Sequence, residues 1–462
     1  MGAARSAGIP FAVRPWKAWV AFSPLLVVYL ACVVLFQPAA GLVGDEGRYL
    51  SFADNLLEGF YSPPAPDINL WAGPGYPLFL ALLKAFGMGL SLLRAANAFL
   101  LYATVVLTFE TLRMLKVGNR AAYGSALVLA LYYPVLVLSL PFLLTEVLAM
   151  FLIAGANWSF VRWAAEVRWS LRGFAHAALI GLFVAWLMLT KVMFAYAVAC
   201  WAVLAASAWA VTRRAVWGRV LLVSAIALGL SAPYLLYTYS LTGRIFYWSN
   251  AGGMTLYCMS SPSRNETGSW FASSQVTGER RGEVLSPLGS FSVTAKLREN
   301  HGAFFESLRT LDSVQRDDAM KRKALANIRS HPGRYLRNWV ANVGRMLVNY
   351  PYSHREQSLS TFFQFLPGIL VLVLIVPVVV AVLRHRGQYP EALVALMLFY
   401  GIYLGMSSLV SAYPRMFYVT LPFWLVAVGE TFGRRIVLRF LPAGEARDRE
   451  ESGSQAGGVG LA

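Results

Sequence analysis

The sequence predicts an all-α protein that crosses the membrane many times. Of its 462 residues, 57% are hydrophobic and only 14% are charged, and the mean hydropathy is +0.54. This composition is too apolar for an ordinary soluble domain. Apolar runs of about 20 residues, the length that crosses a bilayer as a helix, recur along the chain, so we expect a bundle of about ten transmembrane helices.

Ten apolar runs are predicted to span the membrane. They are 17–37, 93–115, 121–141, 143–163, 174–190, 192–211, 219–239, 363–383, 391–411 and 416–435. No small-residue cleavage site follows the first run, which we therefore interpret as a retained signal anchor and not as a removed signal peptide.

The positions of Lys and Arg predict how these runs are oriented. Short cytoplasmic loops carry an excess of both residues. With the N-terminus inside, alternate connections carry that excess, from Lys116 and Arg120 to Arg384 and Arg386. The other side receives residues 39–92, the turns near Glu146, Lys191 and Arg415, and residues 240–360. We therefore expect a multi-pass protein of the inner (plasma) membrane with an extracytoplasmic active site.

Two extracytoplasmic segments stand out by their length. Residues 39–92 form the first loop, which is expected to carry interfacial helices because its apolar run 76–86 is too short to span. Residues 240–360 are the candidate for a small, partly helical outer subdomain. The other divisions are a cytoplasmic N-terminus (1–16), a transmembrane catalytic module (17–239), C-terminal spans (361–442) and a tail (443–462) whose composition predicts disorder.

The first loop begins with two adjacent carboxylates at the membrane boundary. The segment reads Gly44-Asp45-Glu46-Gly47-Arg48-Tyr49, and the loop continues to Trp71-Ala72-Gly73-Pro74-Gly75-Tyr76-Pro77. Paired carboxylates at a boundary are candidates for chemistry. The alternative is that Asp45 and Glu46 start a surface helix through Leu57, where they complement the helix dipole. The two roles are compatible.

This loop resembles the first extracytoplasmic loop of C-type membrane glycosyltransferases (GT-C), especially the bacterial relatives of protein O-mannosyltransferases (family 39) and of the lipid A aminoarabinose transferase. In that family an Asp-Glu-x-Arg-Tyr motif supplies the catalytic carboxylate, and here it reads Asp45, Glu46, Arg48 and Tyr49. Looser similarity appears at 233–257, 330–335 and 415–422. The resemblance implies a GT-C-like bundle that uses a polyprenyl-phosphate-linked sugar.

The chain departs from the family pattern at one cation. Many relatives carry a Lys before the paired prolines of the first loop, where it contacts the donor phosphate. This chain has Trp71-Ala72-Gly73-Pro74 there and no Lys. Another cation must then meet the phosphate, or the donor geometry differs.

Transfer of a sugar from such a donor needs a base, positive charge for the leaving phosphate and a groove for the lipid. Asp45 is the candidate base. A single displacement with inversion is expected, because nothing marks a second residue as a covalent nucleophile. The candidate substrate-binding residues are Glu46, Arg48, Tyr49, Glu146, Lys191, Arg244, Arg415, Trp71 and Tyr76.

Several of these residues have simpler explanations. Glu146 starts the fourth run, where ionisable groups are costly enough to suggest function, but it also suits a helix start at the interface. Lys191 and Arg415 stand in short turns and can hold phosphate oxygens, although Lys191 can equally snorkel to the headgroups. Arg48 can pair with Asp45 or Glu46, and interfacial aromatics are ordinary anchors.

The predicted partners follow from this interpretation. They are a polyprenyl-phosphate-linked sugar, a lipid, glycan or protein acceptor that the sequence does not identify, and membrane lipids. Part of the net charge of +17 comes from Lys321, Arg322 and Lys323 in the outer segment. These residues are expected either to contact anionic lipid headgroups or to form a solvated helix face. Nucleic acid is not expected there. Scattered His and Cys predict no metal site, and no cofactor is expected.

Two other functions use the same groups. A lipid-linked glycan polymerase or ligase is the nearer alternative, and a transporter or flippase of lipid-linked glycans is the other. A purely structural membrane protein is disfavoured by the gathering of charges on one face.

Overall fold

The computed structural model describes residues 16–38, 41–166, 170–278, 295–354 and 359–434, and the regular secondary structure in these ranges is helical. The helices are α1 (Trp16–Phe36), α2 (Glu46–Leu57), α3 (Gly75–Ala85), α4 (Leu90–Met114), α5 (Asn119–Ala130), α6 (Tyr133–Leu138), α7 (Thr145–Ala164), α8 (Leu171–Thr190), α9 (Met193–Thr212), α10 (Ala215–Thr242), α11 (Gly252–Met259), α12 (Ser273–Thr277), α13 (Ala295–Ser307), α14 (Ser313–Ser330), α15 (Pro332–Val348), α16 (Leu359–His385), α17 (Glu391–Ser408), α18 (Pro414–Tyr418) and α19 (Leu421–Arg434). The predicted tail 443–462 and all but the last residue of the predicted N-terminus 1–16 lie outside these ranges.

Nine segments of the described chain are long and apolar enough to cross a membrane, and each coincides with one of the ten predicted runs. They are α1, α4, the stretch Asn119–Leu138 that comprises α5 and α6, α7, α8, α9, α10, α16 and α17. The tenth run, 416–435, falls on α18 and on α19, which has 14 described residues. The helical conformation is interrupted between Tyr418 and Leu421, just before Pro422. Proline is tolerated only near the start of a helix, so a new helix begins there. The predicted all-α, multi-pass architecture is confirmed.

Helix α7 forms the centre of the bundle. It packs against α4 and α8, and also against α17 and α19, and most of its length is buried, whereas α1 is largely exposed. Such a helix can keep a charged residue only at an end or beside a partner. Glu146 lies in the first turn of α7, so it marks the end of the bundle where charges gather.

The first loop folds onto that same end of the bundle. Helices α2 and α3 pack together, and α3 packs against α8. Two glycines permit the approach, because a Cβ on Gly73 would stand 2.1 Å from the Leu189 carbonyl oxygen and one on Gly75 would stand 2.5 Å from Thr190 Oγ1. The backbone of the first loop therefore rests on the turn that carries Lys191.

Helices α11 to α14 form a layer with an apolar core of its own. Its buried members are Met254, Tyr257, Cys258, Phe271, Val276, Leu297, Phe305, Leu308, Met320 and Ala324. The layer touches the first loop, since Asn250 donates its backbone N–H to the Leu70 carbonyl at 3.1 Å and Ser313 donates its hydroxyl to the Ile68 carbonyl. Whether residues 240–360 act as an outer subdomain stays a prediction.

Candidate active site

Asp45 stands directly before α2 with both carboxylate oxygens paired to guanidinium groups. Its Oδ1 accepts from Arg48 Nη1 at 3.0 Å and its Oδ2 from Arg415 Nη1 at 3.3 Å. Although Asp45 occupies the N-cap position, its side chain makes no capping hydrogen bond. The carboxylate is therefore directed to the two guanidinium groups and not to the backbone of α2, and its chemical role stays a prediction. The side chain is 27% exposed, so a substrate can reach it.

Arg415 connects Asp45 to a second, fully buried carboxylate. Oε1 of Glu146 lies 3.9 Å from Arg415 Nε and 2.8 Å from Lys191 Nζ. Oε2 of Glu146 is buried and has no hydrogen-bond partner among the described residues. A buried carboxylate oxygen without a donor is costly, so the cations beside Oε1 have to compensate the buried charge of Glu146.

We call Asp45, Arg48, Glu146, Lys191 and Arg415 the Arg415 cluster. Three cations oppose two carboxylates, which leaves one positive charge. The residues come from the first loop, from α7, from the turn between α8 and α9, and from α18. The cluster therefore has net positive charge and lies where four separate segments of the chain meet.

Aromatic side chains surround the cluster. The Arg48 guanidinium lies 5.2 Å from the centre of the Trp71 ring, a cation–π distance. Tyr49 and Tyr76 meet edge to face at 5.2 Å. Burial raises the pKa of both phenols above its ordinary value, so both stay protonated and available as donors. Trp71 is partly exposed, whereas Tyr76 is fully buried, so Tyr76 is better explained by its packing against Tyr49 than as the predicted substrate contact.

Glu46 does not face the Arg415 cluster. It is fully buried; its Oε1 accepts from Arg94 Nε at 3.0 Å and from the Leu143 backbone N–H at 2.8 Å, and its Oε2 accepts from Arg94 Nη2 and the Val43 backbone N–H, each at 2.8 Å. With four donors in place, neither oxygen is left for a substrate. In place of substrate binding, we assign Glu46 the role of fixing the first loop against α4.

Arg244 also lies apart from the cluster. It forms a two-pronged ion pair with Asp318 of α14 and lies 5.4 Å from the Tyr247 ring. Hydrogen bonds from Arg244 lower the pKa of Asp318, as expected for a stable pair. Because its guanidinium is committed to Asp318, Arg244 is better explained as a tie between the end of α10 and α14 than as the predicted substrate ligand.

Arg94 is a site-supporting residue that the sequence interpretation missed. It is 3% exposed and belongs to α4, one of the candidate spans. An arginine near the end of an apolar run is a signal by itself, because a charge at membrane depth needs a partner. The partner was not legible, since Glu46 lies 48 positions earlier in the chain.

The solved structures to which this chain is similar are membrane glycosyltransferases of the GT-C class. The protein O-mannosyltransferase Pmt1-Pmt2 complex of S. cerevisiae, bound to its sugar donor, is 19% identical, with 56% of this chain and 38% of that chain covered and a TM-score of 0.38. The oligosaccharyltransferase of Archaeoglobus fulgidus with a tethered acceptor peptide is 16% identical, with 88% and 49% covered and a TM-score of 0.47.

ArnT from Cupriavidus metallidurans bound to undecaprenyl phosphate is 17% identical, with 92% of this chain and 79% of that chain covered and a TM-score of 0.40. No protein-family model matches the sequence, and no curated protein matches it. The chain spans less than half the length of the yeast and archaeal enzymes just described. The predicted resemblance to GT-C enzymes is confirmed by these structural neighbours, while donor, acceptor and mechanism belong to the proposal below.

Proposed function

We propose that this protein transfers a sugar from a polyprenyl-phosphate donor to a lipid, glycan or protein acceptor at the extracytoplasmic face, with inversion at the anomeric carbon. The observation that carries the proposal is the bridge of Arg415 between Asp45 and Glu146, with Lys191 beside it. It places a candidate base next to cations in a membrane protein.

The charge of the Arg415 cluster suits such a donor. A polyprenyl phosphate sugar is a phosphodiester with one negative charge, and the cluster has one positive charge in excess. The released polyprenyl phosphate carries more negative charge than the donor. Fixed cations therefore stabilise the leaving group more than the ground state, which is how electrostatic groups accelerate a reaction.

Binding of the donor would also release the base. Asp45 is paired with the guanidinium groups of Arg48 and Arg415, at 3.0 and 3.3 Å. A phosphate bound to Arg415 competes for the guanidinium and draws it from Asp45 Oδ2. Asp45 then takes the proton of the acceptor hydroxyl as the acceptor oxygen bonds to the anomeric carbon. The bond from that carbon to the phosphate oxygen breaks, and its electron pair leaves with the phosphate.

The other residues have supporting roles in this scheme. Oε1 of the buried Glu146 would hold Lys191 and Arg415 in place. Arg48 brings a cation to Trp71, next to the position where the family pattern has a lysine, and would contact the phosphate from the side of the first loop. Trp71, which is partly exposed, would contact the sugar or the first isoprene units.

A donor-consumption assay tests the proposal. Purified protein is incubated with a labelled polyprenyl phosphate sugar, and polyprenyl phosphate is measured with and without extracts that contain candidate acceptors. Acceptor-dependent release supports glycosyl transfer. Movement of label across vesicles without donor consumption would support the transporter alternative and contradict the proposal, whereas growth of a lipid-linked chain would identify a polymerase.

The affinity for the donor is expected to depend on pH through Lys191. Burial and the nearby charge of Arg415 lower the pKa of this ammonium from its ordinary value, against the raising effect of Glu146. A phosphate binds the charged form, so affinity should fall with rising pH, and at a lower pH than an ordinary lysine would give. An arginine at position 191 stays charged between about pH 8 and 10. The affinity of the Lys191→Arg variant for the donor should therefore stay constant over that range. An equal decline in both proteins would exclude Lys191 as the titrating group.

A further inference from the structure

In helix α15 the polar side chains are buried and the apolar ones are exposed, the reverse of what is expected for a solvent-exposed helix on a protein surface. Its polar residues Asn338, Asn342 and Arg345 are fully buried against the protein, whereas Leu336 is 59% exposed and Val340 is 62% exposed. Leu336 and Val340 are four residues apart and so lie on one face. A surface helix in water would place these side chains the other way round.

The buried side of α15 holds the loop that leads to Arg415. The Asn342 amide donates from Nδ2 to the Ser408 and Val410 carbonyls at 2.8 and 2.6 Å, and its Oδ1 accepts from the Ala412 backbone N–H at 2.9 Å. One side chain thus fixes three points of loop 408–412. Helix α15 also packs against α18, the helix that begins with Pro414 and Arg415.

The exposed side of α15 continues the lipid-facing surface of α16. The two helices pack together, and a Cβ on Gly368 of α16 would stand 2.6 Å from the Leu347 carbonyl oxygen at the end of α15. Helix α16 is a candidate span that exposes Leu370 and Val373. Arg337, next to Leu336, is exposed as well. An apolar stripe flanked by a basic residue and joined to a span fits the headgroup boundary of a bilayer.

We propose that α15 is a membrane-surface helix whose Leu336 and Val340 insert among the lipids of the leaflet nearest the Arg415 cluster, and whose Asn342 holds Arg415 in position to bind the donor phosphate. The bilayer itself is then the partner of the exposed face. The role of Asn342 rests on the proposed function, whereas the lipid contact does not. Asn342 is a positioning residue, because it acts on the phosphate only through the loop that precedes Arg415.

The lipid contact is tested by photocrosslinking. Benzoyl-phenylalanine is placed at Leu336 in the full chain, which is reconstituted in vesicles of phosphatidylethanolamine and phosphatidylglycerol and irradiated. The same label at Glu306, whose side chain is 63% exposed at the end of α13, is the control. Lipid adducts at Leu336 and not at Glu306 are expected. Crosslinks between two copies of the chain, or no lipid adduct at Leu336, would overturn the proposal.

The positioning role is tested with a matched pair of asparagines. Asn338 is as buried as Asn342 and also donates to two carbonyls, those of Met259 and Ser261, away from loop 408–412. Asn342→Ala should weaken the binding of undecaprenyl phosphate about tenfold, as expected for a misplaced charged hydrogen bond. Asn338→Ala should leave the affinity unchanged. If Asn342→Ala does not fold, Asn342→Asp takes its place in the same measurement, because the aspartate keeps the acceptor oxygen and loses the two donors.

A double substitution separates failure of this inference from failure of the proposed function. In the Arg415→Ala background, Asn342→Ala should cause no further loss, because its effect passes through Arg415. Additive losses, or equal losses from Asn338→Ala and Asn342→Ala, would refute the positioning role. If Arg415→Ala itself leaves the affinity unchanged, the proposed phosphate site is wrong, and the lipid contact of α15 is still decided by the crosslinking result.

Discussion

Asp45→Asn is expected to lower turnover by about two to four orders of magnitude, the usual contribution of a positioned general base. The substitution keeps the size and shape of the side chain but removes its ability to accept a proton. Binding of the donor should persist or become tighter, because Arg415 loses a competing carboxylate at 3.3 Å. Single-turnover rates and donor affinity, measured separately, check both statements.

Asp54→Asn is the matched control for this prediction. Asp54 lies on α2, the helix that Asp45 precedes. Its side chain is 52% exposed, and it pairs with Lys84 away from the Arg415 cluster. Its substitution should leave turnover unchanged. If Asp45→Asn has normal turnover and Glu146→Gln loses turnover, the general base is Glu146 and not Asp45.

Glu46→Ala is expected to lower the free energy of unfolding more than any of the other single substitutions, because it leaves Arg94 as a buried charge without its carboxylate partner. Breaking a pair of this kind costs about 3–5 kcal/mol. The backbone N–H groups of Val43 and Leu143 also lose their acceptor. The thermal unfolding temperature of purified protein in detergent measures the loss.

The double variant Glu46→Leu with Arg94→Met distinguishes charge from packing. Replacement of a buried pair by apolar side chains of similar size is often nearly neutral, so the double variant should recover much of the stability that Glu46→Ala loses. It should not recover all of it, because the two N–H groups stay unpaired. A double variant as unstable as Glu46→Ala would show that the ion pair itself contributes little.

Much of the fold was predictable because membrane spans follow from length and hydropathy alone. Nine predicted runs coincide with candidate spans. The break between α18 and α19 and the interruption of 121–141 before Pro134 were not predicted, since an apolar run looks continuous when only composition is counted. Such breaks depend on local backbone geometry, which a 20-residue window averages away.

The sequence predicts which residues belong to the site better than it predicts which of them touch each other. The charge pattern placed Asp45, Glu146, Lys191 and Arg415 on one side of the membrane, and the structure brings these four together. Glu46 was grouped with Asp45 because the two are adjacent, although adjacent residues of a helix point about 100° apart. That difference in direction sends Asp45 to Arg415 and Glu46 to Arg94.

The meeting of Asp45 and Arg415 across 370 positions has a consequence for biogenesis. Asp45 enters the membrane with the first helices, and the guanidinium that bridges it to Glu146 follows only with α18. Until then the nascent chain lacks the cation that completes the Arg415 cluster. Under the proposed function, competence for catalysis arises late in synthesis, and a chain that stops before α18 should be inert even if its earlier helices insert correctly.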